Sequence, residues 1–428
     1  MINKVRLSIP FFFLFFDYDL FVLVAILIIF IEFFVFKDSY LKLNINFLKS
    51  AVALFYLLKF FYAFFNIDVL WQKSSQTNYN TNAKFLDMQS FLFPIKCNSS
   101  SFSERYIEII GSKSLYDCYS YSSYGPMDRV LKVNIDINLW TYMLSFLLIL
   151  FFIKSIFEIL NFNIEHAYFI TLIALSPPVN FLIERMNIDI FIFLTIYYLV
   201  KNFYTKKILF AFVIFLLGLI KIYIISIYLG LLFLNIITKN FKDAIINFLS
   251  TLLLVFLYFQ LGYFETDKYF SIRPARPDWS YGFLTEILKL EKLLPGNALY
   301  FVIFFIIFFT FMLIFRNDTL KIEENLFYNT SGWPFLFLFL GTSLYANYDY
   351  RLVILIFISQ IFLDLTNIRK KYIFLIFLFS HPGLLHGYNE SFKLVENNHI
   401  FYLDLTFYIM FYFVIKDLIT FSWHNLKL

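Results

Sequence analysis

Charged side chains make up only 15% of this 428-residue chain, and several of them gather in short clusters at the ends of apolar runs. One cluster follows Ser176-Pro177-Pro178 and reads Glu184-Arg185-Met186-Asn187-Ile188-Asp189. In a second, Lys221 interrupts Leu216-Leu217-Gly218-Leu219-Ile220 and is followed by Ile222-Tyr223. A third is Asn347-Tyr348-Asp349-Tyr350-Arg351, and beyond it His381 and His386 bracket Pro382-Gly383. Residue type limits what such clusters can do. Guanidinium and ammonium groups hold anions, carboxylates accept protons and hydrogen bonds, and tyrosine offers a ring with a hydroxyl. Ionisable residues close to membrane spans are costly and are functional candidates by default.

The elements that must position these residues are membrane helices. The chain is 61% hydrophobic, contains 63 Phe and has a mean hydropathy of +0.73. A soluble domain carries about a quarter charged residues and avoids large apolar patches. A bilayer core needs roughly 17–25 apolar residues per helix. Runs of that kind fall near 11–36, 48–66, 138–160, 167–183, 188–204, 207–220, 222–238, 244–263, 298–315, 333–346, 351–366, 372–388 and 400–422. The expected fold is an all-α integral membrane protein, one polytopic domain over 1–428 with about 11–13 transmembrane helices. The first run is followed by Lys37 and Asp38 without a small-residue cleavage site, so it is expected to be a retained span.

Lysine and arginine in the short connections set the orientation. Alternating the spans puts Lys37/Lys42/Lys49, Lys201/Lys206/Lys207, Lys239/Lys242, Arg316/Lys321 and Arg369/Lys370/Lys371 on one side, the expected cytoplasmic side. The long loops 67–137 and 264–297 then lie outside, together with the charged clusters, whereas Lys4 and Arg6 also fall outside, against the rule. Cys97 and Cys118 sit in the first outer loop, either as two thiols or as a disulfide worth about 3 kcal/mol by chain entropy.

Each cluster also has a plain structural reading. Glu184 and Arg185 can form an interfacial ion pair, Lys221 can snorkel to headgroups, and Asp349 and Arg351 can anchor a helix end. Anchoring charges should fall on both faces, however, and these converge on one, which implies a polar cavity open to the outside. No phosphate-binding glycine loop, dinucleotide fingerprint or zinc spacing occurs, and no basic, aromatic-interleaved patch suggests nucleic acid.

The ordered segments resemble the signature of glycosyltransferase family 87, multispanning enzymes of the GT-C type. Pro177-Pro178…Glu184-Arg185-Met186-Asn187-Ile188-Asp189 is similar to its "P-P…E-R-G-N-x-D" motif, Leu219-Ile220-Lys221-Ile222-Tyr223 to "L-K-x-Y-P", and Asn347-Tyr348-Asp349-Tyr350-Arg351-Leu352 to "N-x-x-Y-R-L". Asp87 and then Tyr124-Gly125-Pro126 match an outer-loop Asp followed by a turn, and the likeness spans roughly residues 85–355. Met186 stands in place of the glycine and Ile224 in place of the second motif's proline.

The resemblance implies a GT-C-like bundle; the lysine and arginine placement turns the expected active site outward, and the want of eukaryotic targeting features makes a cell inner membrane the expected location. The resemblance also implies transfer of a hexose, typically mannose, from a polyprenyl-phosphate donor to a lipid or glycan acceptor, without a cofactor or resident metal. It further implies a carboxylate base in the first outer loop, with Asp87 first and Asp68 second. Arg185, Lys221 and Arg351 would grip the leaving phosphate. Glu184, Asn187, Asp189, Asp349, Tyr223 and Tyr350 would contact sugar or lipid or hold the cations in place. A lipid-linked oligosaccharide polymerase or ligase would share the spans and arginines. A transporter would show paired repeats and broken helices meeting near the midplane.

Overall fold

The computed structural model describes residues 18–35, 44–74, 135–162, 166–203, 206–260 and 332–343, and parts of 84–92 and 302–313. Shorter stretches or single positions are described at 10–11, 280–281, 347–348, 354–357 and between 372 and 416. The named helices are α1 (Tyr18–Val35), α2 (Ile45–Phe64), α3 (Asp68–Ser74), α4 (Ile137–Phe162), α5 (Ala167–Ala174), α6 (Pro177–Arg185), α7 (Asp189–Phe203), α8 (Lys207–Ile220), α9 (Ile225–Ile237), α10 (Phe241–Gln260), α11 (Gly332–Ser343) and α12 (Ile354–Phe357). A two-residue antiparallel ladder pairs β1 (Ser280–Tyr281) with β2 (Asn347–Tyr348).

This is a helical membrane protein. Among the described residues, helices Ile45–Phe64, Ile137–Asn161 and Phe241–Gln260 are long and apolar enough to cross a bilayer, and the bent pair α5/α6 passes the same test when taken together, as a broken span or a re-entrant loop. Shorter apolar helices occupy Leu20–Glu32, Lys207–Ile220, Ile222–Ile237 and Trp333–Thr342. The spans expected at 298–315, 351–366, 372–388 and 400–422 lie wholly or largely outside the described residues.

The surface of α10 shows why water is the wrong solvent. Its exposed face carries Ile245, Phe248, Leu252, Phe256 and Phe259, whereas its buried face carries Ala244, Asn247, Thr251, Leu254 and Tyr258. The apolar stripe faces outward and the polar side chains face inward, the reverse of a soluble helix. Helix α4 repeats the pattern, with Leu139, Met143, Leu147 and Leu150 exposed and Thr141, Ser145 and Ser155 buried.

The chain divides into two compact units. The first comprises Met1–Asn82, Ile149–Glu184 and Pro274–Leu428. Within it α2 packs on α3 and α5, and α12 packs on α5 and α11. Tyr18 lies against Phe55, Tyr56 against Phe152, and Phe169 against Tyr372. The second comprises Ala83–Leu148 and Arg185–Arg273, where α8 packs on α7 and α10, and α9 on α10. Gly218 allows the close approach of α10, because a Cβ there would sit 2.6 Å from Leu254 Cδ2. Tyr258 on α10 donates its hydroxyl to the Gly218 carbonyl at 2.7 Å.

The break between α5 and α6 follows from two prolines. Pro177 and Pro178 lack the N–H groups that would bond the carbonyls of Ile173 and Ala174, and the helix axes bend by 46°. In hydrocarbon such carbonyls need internal donors. Ser176 supplies two to Ile173, its hydroxyl at 2.6 Å and its N–H at 3.1 Å. Tyr56 donates to Ala174, and Tyr18 to Leu175 at 2.9 Å.

Candidate functional site

Two polar networks emerge, one in each unit. In the first unit, Lys59 lies in mid-helix on α2 at 1% exposure. Its ammonium donates to Glu184 Oε1 at 2.8 Å and to Asn180 Oδ1, and Asn180 Nδ2 donates to the same Glu184 oxygen at 2.9 Å. Asn180 and Glu184 stand four residues apart on α6, one turn of the same face. The rings of Tyr18, Phe55 and Trp71 surround the ammonium at 5.6–5.8 Å, within cation–π range.

The second unit holds the larger network. It is built on the loop between α6 and α7, on the break between α8 and α9, and on a short helical turn at 87–89. Asp87 is buried, and its carboxylate is held from two sides. Arg185 Nη2 donates to Oδ1 across 98 residues of chain, and Asn187 Nδ2 donates to Oδ2 at 2.7 Å. Asn187 uses its other end on its own backbone, where Oδ1 accepts the Asp189 N–H at 3.0 Å. That bond starts α7 and fixes which end of the amide faces Asp87. Asp189, in the first turn of α7, accepts the Tyr223 hydroxyl at 2.7 Å.

Two left-handed residues shape this network. Phe85 has φ 53° and Met186 has φ 45°, a region that non-glycine residues enter at a cost of about 1–2 kcal/mol. Both are fully buried, which offsets that cost, and the Phe85 ring packs edge-on against Tyr142 of α4 at 5.9 Å. The turn at Phe85 delivers Asp87, and Met88 and Gln89 both donate N–H to the Phe85 carbonyl. The turn at Met186 separates Arg185 from Asn187 so that both reach Asp87. Methionine in place of glycine leaves this turn in place.

The chain also breaks after Lys221 without a proline. Lys221 is extended (φ −142°, ψ 124°), its N–H caps α8 at Leu217 O at 3.0 Å, and one 3₁₀ turn, Ile222–Ile224, leads into α9. Lys221 itself is buried. The break carries Tyr223 to Asp189.

The structure thus brings Asp87, Arg185, Asn187, Asp189 and Tyr223 into one hydrogen-bonded set. It pairs Glu184 with Lys59 and Arg185 with Asp87, where the plain structural reading of the sequence had offered an ion pair of Glu184 with Arg185. Consecutive helical residues point about 100° apart, so neighbours in sequence need not share a partner. Asp68 begins α3 in the first unit and is exposed. Asp349, Tyr350, Arg351, Cys97, Cys118, His381 and His386 lie outside the described residues. Lys59 and Asn180 were missed, although a lysine in the interior of the apolar run 48–66 was a signal. Among the described residues no group of three His, Cys, Asp or Glu side chains could hold a metal ion. Comparison with family models, curated proteins and solved structures returned no match.

Chemically, the second network is a preorganised carboxylate. Asp87 is oriented from both oxygens, and a guanidinium, 29% exposed, is bound to it. Such a pair can present an acceptor for a hydroxyl proton beside a cation suited to an anion.

Proposed function

We propose that this chain is a membrane glycosyltransferase of the GT-C type, moving a hexose from a polyprenyl-phosphate donor to a lipid or glycan acceptor outside a cell inner membrane. The observation that carries this reading is the bonding of Asp87 to Arg185 and Asn187. The sequence likeness to glycosyltransferase family 87 nominated these residues separately, for roles that must sit side by side.

In the proposed step the acceptor hydroxyl attacks the anomeric carbon and gives its proton to Asp87. A new C–O bond forms, the bond from carbon to phosphate oxygen breaks, and the polyprenyl phosphate leaves with the electron pair. The configuration at carbon inverts. A phosphate is a good leaving group, so a carboxylate suffices as base, and cations must meet the growing charge. Arg185 is the first of these, and its five donors are enough to hold a carboxylate and a phosphate oxygen together. As the phosphate competes for Arg185, lone pairs on Asp87 pass to the acceptor hydroxyl. Lys221 and Arg351 are the further cations proposed. Asn187 fixes the Asp87 carboxylate, and Tyr223 with Asp189 holds the start of α7.

The test is transfer from radiolabelled polyprenyl-phosphate-mannose, and from other hexose donors, to a lipid extract by purified protein in nanodiscs. Asp87→Asn should lower the rate by about 10²–10⁴ while leaving the donor bound. Arg185→Ala should lower both transfer and donor binding. Full transfer by a folded Asp87→Asn protein would remove Asp87 as base, and no transfer from any donor would defeat the reading itself.

A further inference from the structure

The other end of α8 carries a different arrangement. Lys206, Lys207 and Lys242, with Asp243, border a cavity of about 680 Å³ whose remaining walls are Ile208, Leu209, Phe212 and Ile246. Fourteen residues of α8 separate it from Lys221, a rise of about 20 Å, so it is distinct from the Asp87 network.

The acidic residue has its own explanation. Asn240 Nδ2 donates to Asp243 Oδ2 at 2.9 Å, and the Asp243 N–H points back to Asn240 Oδ1 at 3.4 Å, a reciprocal cap that starts α10. Lys207 lies 3.7 Å from the same carboxylate. Among the residues that line the cavity, three ammonium groups stand against one carboxylate. The N-termini of α8 and α10, helices of 14 and 20 residues, add positive partial charge at the same end.

The walls select among anions. Ile208 is 79% exposed and Phe212 is 56% exposed, and both run from the lysines along the apolar length of α8. A free phosphate has no use for such walls. A molecule with an anionic head and a hydrocarbon tail matches both halves, and the ends of membrane helices lie where bilayer headgroups are found.

We propose that this cavity binds an anionic phospholipid of the surrounding bilayer, its phosphodiester among Lys206, Lys207 and Lys242 and its first acyl carbons along Ile208, Phe212 and Ile246. The experiment is native mass spectrometry of the full chain in neutral detergent, titrated with phosphatidylglycerol or phosphatidylcholine. Wild type should bind phosphatidylglycerol at least about tenfold more tightly. A lysine near anionic lipid contributes about fivefold in affinity, so Lys206→Ala/Lys207→Ala/Lys242→Ala should weaken phosphatidylglycerol binding on the order of 100-fold. The three Lys→Arg replacements together should preserve it, and Lys242→Glu alone should weaken it more than Lys242→Ala. Excess inorganic phosphate should leave the lipid bound. Equal affinity for the two lipids, unchanged phosphatidylglycerol binding by the triple-alanine protein or by Lys242→Glu, or displacement by inorganic phosphate would each overturn the proposal.

Discussion

Replacing Lys59 by methionine isolates the energetics of the buried pair. At 2.8 Å and an effective dielectric of ~20, the Lys59–Glu184 attraction is about 6 kcal/mol before desolvation is charged against it. Both side chains are 1% exposed, so that desolvation is large and the intact pair adds little net stability. Removing one partner is different. Lys59→Met leaves the Glu184 carboxylate buried with Asn180 as its remaining identified donor, and should cost about 3–5 kcal/mol. Glu184→Gln keeps an acceptor for Asn180 but removes the charge opposite the ammonium, which retains Asn180 Oδ1 and the Tyr18, Phe55 and Trp71 faces, the faces offsetting the loss by about 1–2 kcal/mol. The double variant replaces the charges with a methionine packed among rings and a Gln–Asn hydrogen bond. It should return to within about 1 kcal/mol of wild type, giving a coupling of at least ~2 kcal/mol. Reversible unfolding in mixed micelles with increasing dodecyl sulfate measures all four proteins. A Lys59→Met cost below about 1 kcal/mol, or a double variant as unstable as the sum of the singles, would refute the argument.

Gly218→Ala should destabilise the second unit by about 1–3 kcal/mol, read as a lower thermal midpoint, because the new methyl meets Leu254 in a buried contact. Tyr223→Phe deletes the hydroxyl that Asp189 accepts and should cost about 1 kcal/mol, with hydrogen exchange rising at the start of α7. Met186→Gly should relieve about 1–2 kcal/mol of left-handed backbone yet lose about 2–5 kcal/mol of buried side chain. The protein should therefore unfold more easily while keeping the proposed transfer activity, and loss of wild-type transfer in the folded variant would mean that Met186 does more than turn the chain.

The helices were the most legible part of the sequence, since run length in a membrane chain reports the element directly. The runs at 138–160 and 207–220 coincide with α4 and α8, and that at 48–66 with α2 to within a few residues. Pro177-Pro178 marked the break after α5, because a residue without an N–H cannot hide its consequence. Partnerships were less legible. Glu184 and Arg185 are adjacent and opposite in charge, yet each bonds elsewhere, to Lys59 at a separation of 125 residues and to Asp87 at 98. Such pairings depend on how helices pack, which a local reading does not contain. Lys59 was overlooked for the same reason: inside an apolar run, a cation has no visible partner until a distant helix supplies one.

Polar side chains near a helix break have a modest role available to them, which is to satisfy the backbone groups the break exposes. That role accounts for the break after α5. Tyr18, Tyr56 and the Ser176 hydroxyl all donate to backbone carbonyls there. It does not account for Asp87. Arg185 to Asp87, Asn187 to Asp87 and Tyr223 to Asp189 are side-chain to side-chain bonds, while Asn187 Oδ1 serves the backbone at the Asp189 N–H. Stability is also a weak reason for them, since well-packed apolar side chains of similar volume often match or exceed a buried ion pair. The left-handed turns at Phe85 and Met186 add about 1–2 kcal/mol each to what the arrangement costs. A network whose named bonds run mainly between side chains, which gains little net energy and is reached through left-handed turns, is what the proposed role of a held carboxylate and its guanidinium toward a third molecule would call for.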